Sequence, residues 1–216
     1  MKEKAKLNTK ISYSSLFWLF MIGSLAGVII EGIFCLIHKG AWESHVVSLF
    51  GPFNILYGAG ICLFYIGAVK LKEKPIWLRV LIMAIAATLL ELLCGLVLRF
   101  GLGMRAWNYK NEFLNYEGLI CLNFTIAWAI AAFIFCIFEK NITNFLKKFQ
   151  KGKWHILCIL LTIFMIINLF LTSISIIRWS ERHHGIEPTN TLEKHIDEKL
   201  PDKIMKKRYI EWRFLK

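Results

Sequence analysis

Two glutamates inside apolar runs are the residues of this chain best placed to do chemistry. Glu31 lies in GSLAGVIIEGIFCLIHKG and Glu91 in AATLLELLCGLVLRFG, each within an apolar run. A charged side chain in hydrocarbon costs about 2.5–3.5 kcal/mol on the milder insertion scales, so such groups face a protein interior or a wet cavity and tend to work there. Each glutamate is followed by the same plan. Trp42 and then Gly51-Pro52 come after the first, and Trp107 and then Gly118 after the second. Two carboxyls brought together repel one another, which makes proton uptake or cation binding chemically available. Spacing alone does not choose between those roles, nor between them and a carboxyl that only fixes helix packing. The candidate substrate-binding set is Glu31, Glu91, Tyr57, Asn54, Trp107, Asn108, Tyr109, Asn115 and Asn123. For Asn54, Asn123 and Thr125, hydrogen bonding between helices is an equal reading. On aromatic content alone, Trp42, Trp107 and Tyr109 are interfacial anchors.

The elements that must position these residues are membrane helices. The chain has 216 residues, of which 56% are hydrophobic and only four are proline, and its mean hydropathy is +0.52. That is too apolar for an ordinary soluble domain. Stretches near the bilayer-spanning length of roughly 20 residues run from Ser15 to Ile37, Phe53 to Leu71, Ile76 to Leu98, Leu119 to Phe138 and Trp154 to Ile177. The expected fold class is therefore all-α, a polytopic bundle of five transmembrane helices. The first run is too long for a signal peptide and no small-residue cleavage site closes it. All six cysteines fall inside the expected spans, where they pack as small hydrophobes.

Gly23, Gly27 and Glu31 follow at i+4 on the first helix, and Ala84, Ala87 or Thr88, Glu91 and Gly95 repeat the device on the third. Helices one and three run in the same direction, so the two halves form a parallel repeat about an axis along the membrane normal, where the two acids can meet. Gly51-Pro52 is expected to open helix two, because proline tolerates the first helical turn. The domains read as an N-terminal arm at 1–14, repeat one at 15–71, repeat two at 76–138, a fifth helix at 154–177 and a polar tail at 178–216.

Basic residues set orientation. Lys2, Lys4, Lys6 and Lys10, then Lys70, Lys72, Lys74 and Arg79, then Lys140, Lys147, Lys148, Lys151 and Lys153, mark the cytoplasmic side; the opposite loops hold only Lys39, Arg99, Arg105 and Lys110. The arm is expected inside and, with an odd helix count, the tail outside. The net charge of +12 is accounted for by anionic headgroups at the inner surface, and no nucleic-acid partner is invoked. The loop EKNITNFLKKFQKGK, from Glu139 to Lys153, places Phe145, Leu146 and Phe149 among lysines and reads as a short amphipathic helix on the inner leaflet, where a cytoplasmic partner would push. In the tail, Asn190 and Glu193 form a capping-box pair, Leu192, Ile196 and Leu200 an i+4 stripe, and a second short helix after Pro201 carries Ile204, Met205, Tyr209 and Trp212. The basic run Lys206-Lys207-Arg208 fits an external tail poorly.

Walker-type phosphate loops, HExxH pairs and nucleophile elbows are missing from the sequence, so ATP hydrolysis would need another subunit. His183-His184 has no third ligand at helical spacing, and no metal or cofactor is expected.

Several of these residues together resemble one family. Gly27 to Glu31, GPFNILYGAG from Gly51 to Gly60, Glu91, Trp107-Asn108-Tyr109, Asn115-x-x-Gly118, Ile120-Cys121-Leu122 and Trp128 look like the CmpB-type ABC-transporter permease family, over roughly Leu16 to Phe138. The resemblance implies a multi-spanning bacterial membrane protein with a transport role and no defined substrate. The family pattern has arginine where this chain has Val46 and Leu119, and commonly Asp where it has Asn108. Both glutamates remain while those arginines are gone, which favours a protonated pair here. The expected function is the membrane subunit of a transporter, with an outward-facing pocket between the repeats, a separate ATPase subunit and a small-molecule or lipid ligand. A membrane enzyme using one glutamate as general base on a lipid or envelope precursor, and a non-catalytic interaction subunit, are the alternatives.

Overall fold

The computed structural model describes residues 11–215; most of the basic N-terminal arm, with Lys2, Lys4, Lys6 and Lys10, lies outside the described residues. The chain is built from helices α1 (Tyr13–Lys39), α2 (Ile55–Lys70), α3 (Ile76–Leu96), α4 (Leu122–Lys147) and α5 (Lys153–His183), followed by short helices α6 (Thr191–Lys199) and α7 (Asp202–Arg208). Two-residue strands β1 (Met104–Arg105) and β2 (Arg213–Phe214) pair antiparallel. Four segments, Tyr13–Lys39, Ile76–Gly101, Leu122–Gln150 and Lys153–His183, are long and apolar enough to cross a bilayer. The second helix is apolar but only 16 residues long. Outward-facing Ile29, Ile33, Ile37, Leu89, Leu93, Ile134, Ile137, Ile163 and Ile167 remain exposed, as lipid-facing side chains must.

Small residues let the helices approach. On α1, a Cβ at Gly27 would overlap the Tyr57 ring, and on α2 a Cβ at Gly58 would overlap the Ser24 hydroxyl. The α1–α2 and α3–α4 pairs are the most intimate, and α2 also packs on α3 and α4. A single core of Phe17, Trp18, Phe64, Tyr65, Met83, Ala87, Trp128 and Phe135 ties the pairs together.

Three boundaries differ from expectation. Helix α2 begins at Ile55, not at Pro52, because the Asn54 side chain caps it by accepting from the Leu56 N–H, while Gly51 takes a left-handed φ of 74° in the turn before. Helix α4 starts later than Leu119 and runs on to Lys147, ending in a 3-10 turn over Lys148–Gln150. The separate surface helix expected over Glu139 to Lys153 is therefore a continuation of α4. Its physical reason is that Leu146 is buried and Phe149 packs on Trp18 and Trp154 at ring distances of 4.9 and 4.8 Å, which leaves Phe145 as the exposed member. Glu139 also pairs with Arg79 at 2.6 Å, joining α4 to the start of α3.

The third difference is in the tail. Helix α5 extends to His183, so Arg178 is a helical residue, and its guanidinium is buried among Glu181 (2.6 Å) and Asp197 (2.7 Å). The Asn190–Glu193 cap forms as expected, with the Glu193 N–H donating to Asn190 Oδ1 at 3.0 Å. The tail folds back over the bundle. Trp179, Met205, Tyr209 and Trp212 make a second core with Met104, and Arg208 donates to the carbonyls of Ser48 and Gly51. The basic residue that suited an external tail poorly is thus bound to backbone oxygens of the α1–α2 loop. Both interhelix loops, 40–54 and 102–121, and the tail lie at the same end of the bundle.

Candidate functional site

Helix α3 places Glu91 in the core, 3% exposed, although its neighbours Leu89 and Leu93 face outward. Both of its oxygens are used. Tyr109 donates to Oε1 at 2.9 Å and Trp128 to Oε2 at 3.1 Å. Glu31 on α1 accepts from the Tyr57 hydroxyl at 2.7 Å. The Tyr57 and Trp128 rings lie 5.5 Å apart, so an aromatic pair from α2 and α4, each donating to one acid, bridges the two. Neither glutamate has a Lys or Arg partner among the described residues.

Each half supplies its acid from the first helix of a pair and a tyrosine that reaches it. In the first half the tyrosine comes from α2; in the second it comes from the loop, where Tyr109 stacks on Phe124 at 4.4 Å. That loop is held by its own polar side chains. Asn115 Nδ2 donates to the Lys110 and Glu112 carbonyls and its Oδ1 accepts from the Gly118 N–H. Gly118 has φ 70°, a conformation that glycine adopts without cost. Trp107 Nε1 donates to the Leu119 carbonyl at 2.8 Å, and Asn108 Oδ1 accepts from the Lys110 N–H.

The nine candidate residues therefore separate by place. Glu31, Tyr57, Glu91 and Tyr109 are brought together. Asn54 is committed to the α2 cap and to the His45 carbonyl, Asn115 and Trp107 to the loop, and the exposed Asn108 to a turn. Asn123, exposed at the start of α4, donates to Glu112 at 2.8 Å. Thr125 meets Thr88 at 3.3 Å between helices. Trp128, which the candidate set leaves out although it is among the residues that carry the resemblance, also contacts Glu91; its indole is donor-only, and a buried indole needs a partner. A shallow surface depression lined by Gly95, Leu98, Arg105, Ala106, Trp107 and Leu119 includes neither glutamate.

Val46 and Leu119, the positions at which the resemblance implied arginine, are both buried apolar residues. Asn108 keeps the side-chain oxygen that an aspartate would use in the same turn.

Long apolar helices with exposed apolar side chains around a largely aromatic core that holds a few buried polar groups define a multi-pass, all-α integral membrane protein. The chain belongs to the CmpB-type ABC-transporter family, described as "Putative ABC-transporter type IV", whose model matches residues 18–173. No curated protein and no solved structure gives a significant match to the chain.

Proposed function

We propose that the protein is the membrane-spanning subunit of a transporter, with Glu31 and Glu91 at the floor of an outward-facing pocket between two helix-pair repeats, 15–71 and 76–138. The observation that carries this reading is the Glu91 carboxylate: buried in a span, without a cationic partner among the described residues, and tied through Trp128 and Tyr57 toward a second acid. A pair of acids meant only to glue helices together would not need to be carboxylates, since neutral side chains serve that purpose at lower cost. The Tyr57 and Tyr109 hydroxyls donate to the two acids, so a ligand that binds the carboxyls has to displace a tyrosine. The N-terminus is cytoplasmic and the tail external, a placement supported by the basic residues at the opposite end of the bundle and by the docking of the tail on the loops. An ATPase subunit would meet the cytoplasmic end at the exposed Phe145.

The test compares wild type with Glu31→Gln and Glu91→Gln in detergent, across a panel of lipids and small metabolites at two pH values. A true ligand raises the apparent melting temperature by mass action. One compound that stabilises wild type and neither variant is the expected result. Two variants as stable and as active in cells as the parent would reduce the acids to packing elements.

A further inference from the structure

We propose that the outer half of α1 and the loop behind it form a binding site for a divalent transition-metal ion of the zinc class, with Glu31, Cys35 and His45 as ligands. The proposal shares Glu31 with the transport reading but needs neither Glu91 nor a pocket, so the two are tested separately through Cys35, His45 and Glu91. One donor atom from each of the three residues lies within 4.8 Å of the others, and Cys35 Sγ is 3.1 Å from His45 Nε2. In tetrahedral zinc, with Zn–S about 2.3 Å and Zn–N about 2.0–2.1 Å, those two atoms would stand roughly 3.5 Å apart. Half an ångström of side-chain movement makes the room.

The three ligands are brought together by independent means. Glu31 and Cys35 are one turn apart on α1, so they share a face. His45 reaches them from the loop through a left-handed backbone, φ 36°, unusual for a residue with a Cβ. Strained conformations of this kind persist where the surroundings impose them and gather at functional sites; here Asn54 Nδ2 holds the His45 carbonyl at 3.1 Å. Tyr57 donates to Glu31 Oε1, orienting the carboxylate and leaving Oε2 for a metal, as outer hydrogen bonds do around metal ligands.

Donor chemistry selects the class of ion. A thiolate, an imidazole and one carboxylate suit zinc and its neighbours, whereas magnesium and calcium favour sets of oxygens. A fourth donor is at hand. Glu43 approaches His45 Nε2 to 3.6 Å while paired with Lys39. The tail adds Glu211, whose carboxylate lies with the Glu43 carboxylate and the His45 imidazole in a second cluster of potential donors.

The experiment titrates the full-length protein in detergent with Co2+ and then Zn2+. The expected result is one Co2+ per chain with a thiolate-to-cobalt charge-transfer band, bleached by Zn2+ and lost in Cys35→Ser. His45→Asn, which keeps a residue tolerant of positive φ, should weaken Co2+ binding about tenfold or more and leave the helical circular dichroism intact, which covers the case in which Cys35→Ser does not fold. Cys62→Ser and Glu91→Gln should retain the band. A folded wild type without the band, or a band that survives His45→Asn at unchanged affinity, overturns the site and leaves an ordinary Cys–His hydrogen bond. Because Glu91→Gln removes the transport ligand and spares the metal, failure of one reading is distinguishable from failure of the other.

Discussion

At the scale of single residues, the paired acids depend on donors whose removal has a definite cost. Trp128→Phe preserves the ring packing on Tyr57 and Phe64 but strips Glu91 Oε2 of its donor. A buried acceptor left without a partner costs about 1–3 kcal/mol, so the variant should show a lower apparent Tm in detergent, and Glu91→Gln combined with it should lose less than the two single changes summed. Gly27→Leu tests the approach of α1 to α2. With no space beside the Tyr57 ring, overpacking of about 1–3 kcal/mol is expected, together with loss of the Tyr57–Glu31 hydrogen bond, visible as altered tyrosine fluorescence. Glu31 and Glu91 are legible in the sequence because an acid in an apolar run is conspicuous. Trp128 is legible only as one of the residues that carry the family resemblance; its bond to Glu91 is not, because a tryptophan in an apolar helix has no visible partner until α3 and α4 pack and place it against an acid 37 residues earlier.

At the scale of elements, caps and continuations decide what surrounds the site. Asn54→Ala removes the α2 cap, worth about 1 kcal/mol, and also frees the His45 carbonyl; hydrogen exchange should rise across residues 44–56 in particular. On the opposite end, Phe145→Ala should change stability by less than about 0.5 kcal/mol, as exposed positions do, whereas Phe149→Ala breaks the packing on Trp18 and Trp154 and should cost about 1 kcal/mol or more. A loss of ATPase copurification in Phe145→Ala without a loss of Tm would place the partner there. The existence of the four long apolar helices and of the shorter α2 could be read from hydropathy. Their ends could not, since Asn54 as a cap and Leu146 as a core residue look like ordinary loop and surface-helix residues until a neighbouring element covers them.

At the scale of the whole molecule, the tail is a folded cap joined to the bundle by charge and by a small apolar core. Burial pushes the Asp197 carboxyl up, and the Arg178 and Arg182 guanidiniums more than reverse this, so it sits below the usual carboxylate range; the Thr189 backbone N–H and side chain do the same for Glu193. Groups with depressed values in the folded state contribute stability that is complete above their unfolded values, about 3.9 for Asp and 4.3 for Glu, and is lost as pH falls through the lower folded ones. Limited proteolysis of 185–201 should therefore be slow at neutral pH and accelerate below about pH 4, and Arg178→Ala should accelerate it at every pH. Cysteine labelling introduced at Thr189, at Asn111 and at Ser44 should report one and the same side of the membrane. The sequence by itself determined the membrane class, the helices, the two acids and the family, because each is written in local composition or in short-range spacing. Only the tertiary structure decided that Tyr57, Tyr109 and Trp128 serve those acids, that Cys35 and His45 meet beside Glu31, and that the tail docks on the loops, because these contacts join residues on different elements and exist only once the helices have packed.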